Sequence, residues 1–451
     1  MTSRMYSRRD LLALLATAPW LAACGGGAAT ASTPATVATR PSATVAAAPV
    51  TSAPTASSPA AAAGSAGTAV AAAATPAAAA PAASGAPVSA TTAANTSANA
   101  SGAGIKIGAV FSMTKGGAVY GAVQKNAVQL AMDEINTAGG VNGNKLQPLF
   151  EDDASEPKQA ITVFEKLTAQ DKVLAIIGPT LSNSAVASDP VAQQAKVPVL
   201  GVSNTAGGIT EIGNFIFRDS LSEAQVIPNT IKVAKEKLGF KKVALIYGQD
   251  DAFTKAGYDV FKKELQANGI QILTEETFSK GDVDFSAQMT KIKGMNPDAI
   301  VASALANEAG LMLTQARKAG IPESVPFIGG NGFNTPAIIK AAEKAAEGTI
   351  VGAAWHVTSA APKNADFVKN YKAKFNADPD QFAAQAYSGV YILADAIKRA
   401  TTTTNGDAVR QALTDTKGVE TPLGTFSFTP QRDANHLPVV QVVKNGKFEL
   451  L

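Results

Sequence analysis

The sequence predicts an α/β protein with two lobes, each built on a parallel sheet flanked by helices. Beyond residue 104, short apolar runs alternate with longer segments of helical periodicity. These runs are mostly apolar, without the strict alternation of a half-exposed strand, which is typical of strands buried on both faces of a parallel sheet. This part of the chain also exceeds the size of one comfortable hydrophobic core, so we expect two.

The predicted elements follow one another in a regular order. IKIGAVF, at residues 105–111, predicts the first strand, and a helix is expected from about Tyr120 to Thr137. KLQPLFEDD predicts the second strand, and Pro157 stands where a first helical turn tolerates proline. Further strands are predicted by VLAIIG, VPVLG, KVALIYG, DAIVAS and VPFIGG. In sheets of this kind, ligands bind beyond the carboxyl ends of the strands.

The N-terminal segment, residues 1–24, predicts an export signal. Arg8 and Arg9 precede a short apolar stretch and then small residues, a layout typical of a signal peptide rather than a membrane span. SRRDLL resembles a twin-arginine signal, and LAAC, which ends at Cys24, resembles a lipobox. We expect lipidation of Cys24 to hold the protein on the outer face of a membrane, periplasmic or at the cell surface, the alternative being a buried free thiol.

Residues 25–103 consist almost entirely of Ala, Thr, Ser, Pro and Gly, and Arg40 is the only charged residue among them. Such a segment lacks the large apolar side chains whose burial offsets the entropy cost of ordering a chain. We therefore predict a disordered tether between the lipid anchor and the α/β lobes.

Composition and motif content argue against nucleic-acid binding and catalysis. The net charge is only +3 on 451 residues, with no dense Lys/Arg stripe. The chain has one cysteine, two distant histidines, no G-x-S-x-G motif and no P-loop. Adjacent acids such as Asp152 and Asp153 could in principle act as acid and base, but turn formation is the simpler role. We expect no enzyme activity, no metal and no cofactor.

An anion site is predicted by AIIGPTLSNSAVASDP, at residues 175–190. A buried strand ends there at Gly178-Pro179, and a helix is expected to begin near Ser182. Backbone N–H groups at a helix start point outward and favour a negatively charged ligand. The residues alone leave the nature of that anion open.

From residue 104 onward the chain carries an ordered series of segments that includes IKIGAVFSMTKGGAVYG, DEINTAGGVNGNKL, IIGPTLSNSAVASD and DPDQFAAQAYSGVYILADAI. In order and spacing they resemble the branched-chain amino acid binding proteins of ABC transporters, which have the type I periplasmic binding protein fold. The resemblance implies two lobes joined by three crossings, with the ligand between them. Lobe one would comprise 104–221 plus 352–436, and lobe two 222–351 plus 437–451.

The resemblance also implies a set of ligand-binding residues. Ser182, Ser203 and Thr205 occupy the positions that hold the ligand carboxylate. Ser182 could also cap its own helix, which does not exclude ligand contact, because a capping serine presents its hydroxyl to the same space. Tyr120 and Phe253 occupy the positions of aromatic side chains that cover the ligand, although simple packing would explain them as well.

The expected amino-group site departs from the family pattern. Where amino-acid binders offer a glutamate to the ligand ammonium, this chain has Asn331, and Leu305 replaces an aromatic residue. An ammonium group without a counter-charge in a buried site would cost on the order of 3–5 kcal/mol. Another acid would have to replace the glutamate, and Asp250, Asp251 and Glu308 are candidates, although Glu308 could equally stabilise a helix start.

Together these features predict a monomeric extracytoplasmic receptor of an ABC importer. Its ligand would be a small carboxylate, in the first place a branched-chain or other hydrophobic amino acid, and its partner an ABC permease. Three alternatives stay open: a receptor for a non-amino-acid carboxylate such as an aromatic acid, a sensor for a signalling partner, and a surface adhesin without a small ligand.

Overall fold

The structure of the protein, a computed structural model, describes residues 104–451. The predicted export signal over 1–24, the lipidation of Cys24 and the predicted tether over 25–103 lie outside the described residues. Within 104–451, none of the helices is both long and apolar enough to span a bilayer.

The first lobe is built on a five-stranded sheet in which all neighbouring strands are parallel. Its strands are β1 Ile105–Phe111, β2 Leu146–Asp152, β3 Ala175–Ile177, β4 Val199–Gly201 and β5 Ile216–Arg218. The helices after its first three strands are α1 Ala118–Thr137, α2 Pro157–Glu165 and α3 Ser182–Ala195. The spatial order β2-β1-β3-β4-β5 places the loops after β1, β3 and β4 side by side. The predicted strand over 105–111 and the helix start at Pro157 are confirmed.

The second lobe repeats this alternation of helix and strand. Its helices are α4 Glu223–Leu238, α5 Ala252–Ala267, α6 Ser286–Met295, α7 Ala306–Lys318 and α8 Pro336–Ala342. Its strands over the same stretch are β6 Lys242–Gly248, β7 Gln271–Phe278, β8 Ala299–Ser303, β9 Phe327–Gly329 and β10 Ile350–Ala353. All pairings among these five strands are parallel, so their carboxyl ends lie at one edge of the sheet.

After β10 the chain returns to the first lobe. This part contains α9 Asn364–Phe375, α10 Gln381–Ala400, α11 Gly406–Thr414 and a hairpin of β11 Val419–Thr421 and β12 Gly424–Phe426. The long helix α10 packs along α1, and both contribute to one hydrophobic core with β1. The first lobe therefore consists of two segments that are far apart in the sequence.

The segment after β12 first contacts the first lobe and then adds two strands to the sheet of the second lobe. Arg218, which is buried at the end of β5, pairs with Asp433, and Arg432 donates to the carbonyls of Ile216 and Thr210. The chain then forms β13 Val439–Lys444 and β14 Lys447–Leu450, which extend the second sheet in antiparallel fashion. The chain thus passes three times between the lobes, as predicted.

The antiparallel pair β13–β14 is an addition to the predicted parallel sheets. The second sheet has the order β14-β13-β10-β9-β8-β6-β7, so the pair forms one edge of it. Asn445 and Gly446 connect the two strands with φ values of 53° and 71°. Asn-Gly is the dipeptide that favours such two-residue hairpins, because both positions require positive φ.

Candidate functional site

The candidate site is a cavity between the lobes, at the carboxyl ends of the strands. Its walls come from the loops and helix starts after β1, β3, β4, β6, β8 and β9, and from the start of α10. It is lined by Tyr120, Thr180, Leu181, Ser182, Ser203, Thr205, Asp251, Phe253, Leu305, Asn331, Gly332 and Phe382. Seven of the eight ligand-binding residues expected from the sequence line this cavity, and Glu308 does not.

Ser182 holds the loop after β4 in position. Leu181 is the N-cap of α3, so Ser182 is the first helical residue, and its hydroxyl accepts from the N–H groups of Thr205 and Ala206, at 3.2 Å each. The expected alternative, in which Ser182 caps its own helix, is not what the structure shows. Ser203 in the same loop donates to the carbonyl of Thr180 at 2.7 Å.

This polar cluster, made of Ser182, Ser203 and Thr205, can recognise a carboxylate. Among residues 104–451, no side chain caps the N-terminus of α3, so the N–H groups of its first turn are available to a ligand. These groups and the hydroxyl of Ser182, which only accepts within the protein, supply hydrogen-bond donors, whereas Ser203 and Thr205 donate to Thr180 and Glu223. The helix dipole favours negative charge at this end. The arrangement therefore fits an anion without requiring a cationic side chain.

Gly178 makes the turn that leads from β3 into α3. It has a φ of 111°, in the region that side chains rarely adopt. A Cβ atom built on it would lie 2.1 Å from the carbonyl oxygen of Val110, on the neighbouring strand β1. The turn therefore requires glycine for two separate reasons, and its conformation places Ser182 at the cavity.

Tyr120 connects the two lobes across the cavity. Its hydroxyl donates to the carbonyl of Gly332 at 2.8 Å and accepts from the N–H of Ala306 at 2.7 Å. Both partners belong to the second lobe, whereas Tyr120 lies on α1 of the first. Its ring packs against Phe382 with 4.5 Å between the centroids, and Phe253 provides apolar surface from the second lobe. The aromatic residues expected to cover the ligand therefore lie in the cavity wall.

A second connection between the lobes joins the N-termini of α3 and α5. Asn183 donates to Asp251 Oδ2 at 2.9 Å and accepts from the N–H of Ala252 at 2.8 Å. The other oxygen of Asp251 accepts from Thr254 N at 3.0 Å, as an N-cap. Both carboxylate oxygens of Asp251 are therefore engaged within the protein, although the residue lines the cavity.

Glu223 is a buried acid behind the cavity wall that we did not anticipate from the sequence. It lies in the first turn of α4, directly after the first crossing, and is 1% exposed. Its Oε1 accepts from Thr205 Oγ1 at 3.0 Å and from Asn331 Nδ2 at 2.8 Å, and both of these residues line the cavity. The sequence held one signal: Ser222 and Gln225 form a capping box that sets the helix start and places Glu223 beyond the end of β5.

The fold and the cavity define a class of protein. Two α/β lobes joined by three chain crossings, with a cavity lined by both, are the architecture of receptors that close around a small ligand. The comparisons with known proteins identify the family. The model of the periplasmic binding protein family matches residues 104–447. The chain belongs to this family.

Relatives and solved structures agree with this assignment. Leu/Ile/Val-binding protein homolog 3 of Brucella melitensis is 30% identical over 341 residues, which is 74% of this chain and 90% of the relative. LivJ, the branched-chain amino acid transporter substrate binding protein of Streptococcus pneumoniae, was solved with isoleucine. It is 33% identical, with a TM-score of 0.72, and the match covers 77% of this chain and 98% of LivJ.

A third similar protein was solved with an aromatic acid. It is a solute binding protein of an ABC transporter from Rhodopseudomonas palustris, in complex with 3,4-dihydroxybenzoic acid. It is 27% identical, with a TM-score of 0.70, and the match covers 76% of this chain and 94% of that protein. Proteins of this fold therefore include binders of amino acids and of carboxylic acids without an amino group.

Proposed function

We propose that the protein is the extracytoplasmic binding receptor of an ABC importer and that it binds a small hydrophobic carboxylate ligand between its lobes. The observation that carries this proposal is the polar cluster of Ser182, Ser203 and Thr205 at the start of α3, opposite the aromatic side chains of Tyr120 and Phe253. One side of the cavity suits a carboxylate and the other suits an apolar body. LivJ, which has this fold, is named as the substrate binding protein of a branched-chain amino acid transporter.

The proposed lobes are those that the family resemblance implies, 104–221 plus 352–436 and 222–351 plus 437–451. In the proposed cycle the carboxylate first binds the polar cluster, and the second lobe then closes over it. The bonds of Tyr120 and Asn183 to the second lobe form in this closed state. A permease can respond to this closure, which is a hinge motion between two lobes.

Replacing Ser182 by alanine tests the carboxylate site. The change removes a ligand hydroxyl and the acceptor that holds Thr205 N and Ala206 N, so we expect isoleucine binding to weaken about tenfold. The matched control is Ser184→Ala on the same helix, because Ser184 is buried but does not line the cavity. Calorimetric titration of the purified full chain gives both affinities. Equal effects of the two variants would contradict the proposed site, and a native chain that binds no carboxylate would contradict the proposed function.

We also propose that the mature chain is a lipoprotein, exported through the twin-arginine-like signal and anchored through Cys24. In bacteria that express the full chain, the native protein should incorporate labelled fatty acid and sediment with membranes. The Cys24→Ser variant should carry no label and leave the membrane fraction, because one residue provides the attachment point. A variant that still sediments with membranes would show that the anchor lies elsewhere.

Two other functions would use the same fold. A sensor that reports ligand binding to a signalling partner would bind the same compounds without supporting uptake. A receptor for aromatic acids is favoured by Asn331, which stands where an acid is expected in amino-acid binders, and by the solved complex with 3,4-dihydroxybenzoic acid. Uptake assays distinguish the sensor, and the ligand comparison described below distinguishes the aromatic-acid receptor.

A further inference from the structure

The question of whether the ligand carries an amino group depends on the acids near the cavity. Asn331 has no charge to offer, and three acids were expected as candidates to replace the missing glutamate. Asp251 uses both carboxylate oxygens within the protein, on Asn183 and Thr254. Asp250 is exposed and accepts from the N–H of Lys280 at 2.8 Å. Neither therefore presents a free carboxylate oxygen to the cavity interior.

Glu308, the third candidate, is buried but does not line the cavity. Its Oε1 accepts from the N–H of Gly281 at 2.9 Å, in the loop that precedes α6. It therefore fixes a loop of the second lobe, and none of its side-chain hydrogen bonds within 104–451 reaches the polar cluster of the first. Glu308 nevertheless provides a useful comparison, because it is a buried glutamate near the cleft.

Glu223 differs from these acids in its contacts to the cavity wall. Its Oε1 holds the hydroxyl of Thr205 and the amide nitrogen of Asn331, one residue from each lobe. Its Oε2 is buried and has no hydrogen-bond partner within 104–451. A Cβ atom on Gly330 would lie 2.5 Å from Oε2, so the backbone after β9 approaches this carboxylate closely.

These bonds also determine what Thr205 and Asn331 can offer a ligand. Thr205 directs its hydroxyl proton to Glu223, so the lone pairs of Oγ1 are left as acceptors. Asn331 directs its amide donors to Glu223 and to the carbonyl of Leu221. Its Oδ1 accepts from Gln381 Nε2 at 3.3 Å and keeps a second lone pair for a ligand. The cavity wall therefore presents two acceptor oxygens with a carboxylate directly behind them.

We propose that Glu223 supplies the counter-charge for a ligand ammonium group, with Thr205 and Asn331 as the acceptors that contact it. This inference rests on the proposed binding function and narrows the ligand to zwitterionic amino acids. A carboxylic acid without an amino group would leave the acceptor lone pairs of Thr205 without a donor and the buried charge of Glu223 without a cation. The role of the glutamate that amino-acid binders have at position 331 is thus shared here by two side chains: the amide of Asn331 contacts the ammonium group, and the carboxylate of Glu223 supplies the negative charge.

The protonation state of Glu223 should make ligand binding depend on pH. Burial raises the pKa of Glu223 to about 7, although hydrogen bonds from Asn331 and Thr205 lower it in part. The residues that face the Glu223 carboxylate from neighbouring elements are uncharged: Thr205, Asn331, Gly330 and Gly257. The charged group that acts on it is Arg218 of β5, which lowers its pKa.

Because an ammonium group favours the ionised carboxylate, binding of an amino acid should release a proton at and below pH 7. Affinity for an amino acid should therefore fall as the pH decreases below 7, by up to about tenfold per unit, and should level off above it. A carboxylic acid without the amino group should show no such dependence over this range.

The test compares leucine with 4-methylpentanoate, which has the same carbon skeleton without the amino group, by calorimetric titration of the full chain. We expect the native chain to favour leucine by at least tenfold, and the Glu223→Gln variant to lose this preference while keeping its affinity for 4-methylpentanoate. Glutamine has the shape of the protonated acid and keeps an oxygen for Thr205 and Asn331, so the variant should fold. The matched control, Glu308→Gln, should keep the preference.

Each outcome separates this inference from the proposed function. A native chain that binds 4-methylpentanoate or 3,4-dihydroxybenzoate but not leucine would overturn the role of Glu223 and leave carboxylate binding intact. Loss of the preference in Glu308→Gln but not in Glu223→Gln would assign the counter-charge to Glu308. Titration in two buffers of different ionisation enthalpy measures proton release, which should occur with leucine in the native chain and disappear in Glu223→Gln.

Discussion

Replacing Gly178 by alanine should destabilise the protein by about 3 kcal/mol and remove ligand binding. Alanine at this position would have to adopt a φ of 111°, and its Cβ would lie 2.1 Å from the carbonyl oxygen of Val110. The backbone of β1 or the turn before α3 must move to relieve that overlap. Either movement displaces Ser182 from the cavity, so stability and binding should be lost together. Urea unfolding of the full chain, together with isoleucine titration, measures both.

The control for this change is Gly139→Ala. Gly139 has a similar φ of 105°, but a Cβ atom there would meet nothing within 4 Å. This variant should therefore show only the cost of backbone strain, about 1 kcal/mol, with unchanged affinity. Equal destabilisation of the two variants would mean that the overlap with the carbonyl of Val110 contributes nothing to the loss of stability.

Replacing Tyr120 by phenylalanine should weaken ligand binding about 100-fold, mainly through faster release. In the closed state of the variant, the carbonyl of Gly332 and the N–H of Ala306 would lose the hydroxyl that now satisfies them. Water could replace that hydroxyl once the lobes separate, so the cost falls on the closed state. Leaving a buried polar group unsatisfied costs about 1–3 kcal/mol, and two such groups are affected. Stopped-flow measurement with isoleucine should show a higher dissociation rate and a nearly unchanged association rate.

Tyr391→Phe is the matched control, because it removes a tyrosine hydroxyl whose contact stays within one lobe. The hydroxyl of Tyr391 donates to Glu134 Oε2 at 2.8 Å, between α10 and α1. Its loss should lower stability and leave the dissociation rate of the ligand unchanged. If both variants released ligand equally fast, the contacts of Tyr120 across the cleft would not control closure.

Much of the fold could be predicted because it depends on local patterns. Mostly apolar runs such as 299–303, which is buried along its whole length, identify strands covered on both faces. The alternation with helices then indicates parallel pairing. The antiparallel edge at β13–β14 was not predicted, although Asn445-Gly446 is a strong hairpin signal. The family resemblance implies that 437–451 belongs to lobe two, but it does not give the antiparallel pairing of β13 with β10.

The site was predictable where it follows a strand end and less so where it depends on charge. Ser182, Ser203 and Thr205 come directly after β3 and β4, so topology places them together. Glu223 contacts Thr205, 18 positions away in the sequence, and Asn331, 108 positions away. A local sequence pattern cannot predict contacts between residues this far apart. Its burial also depends on both lobes at once. An acid in a first helical turn is common, and its sequence context does not reveal that it lies behind a cavity.

The return of the chain from the second lobe to the first has a consequence for biosynthesis. The contact between Tyr391 and Glu134 spans 257 positions, and Arg218 meets Asp433 across 215. A growing polypeptide cannot complete the core between α1 and α10 until the ribosome has translated α10, which follows all of α4 to β10. Until then the apolar face of α1 lacks its partner helix, and long-range closure of this kind slows folding and exposes surface that can aggregate. The N-terminal lobe is therefore completed late, after most of the second lobe has already been translated.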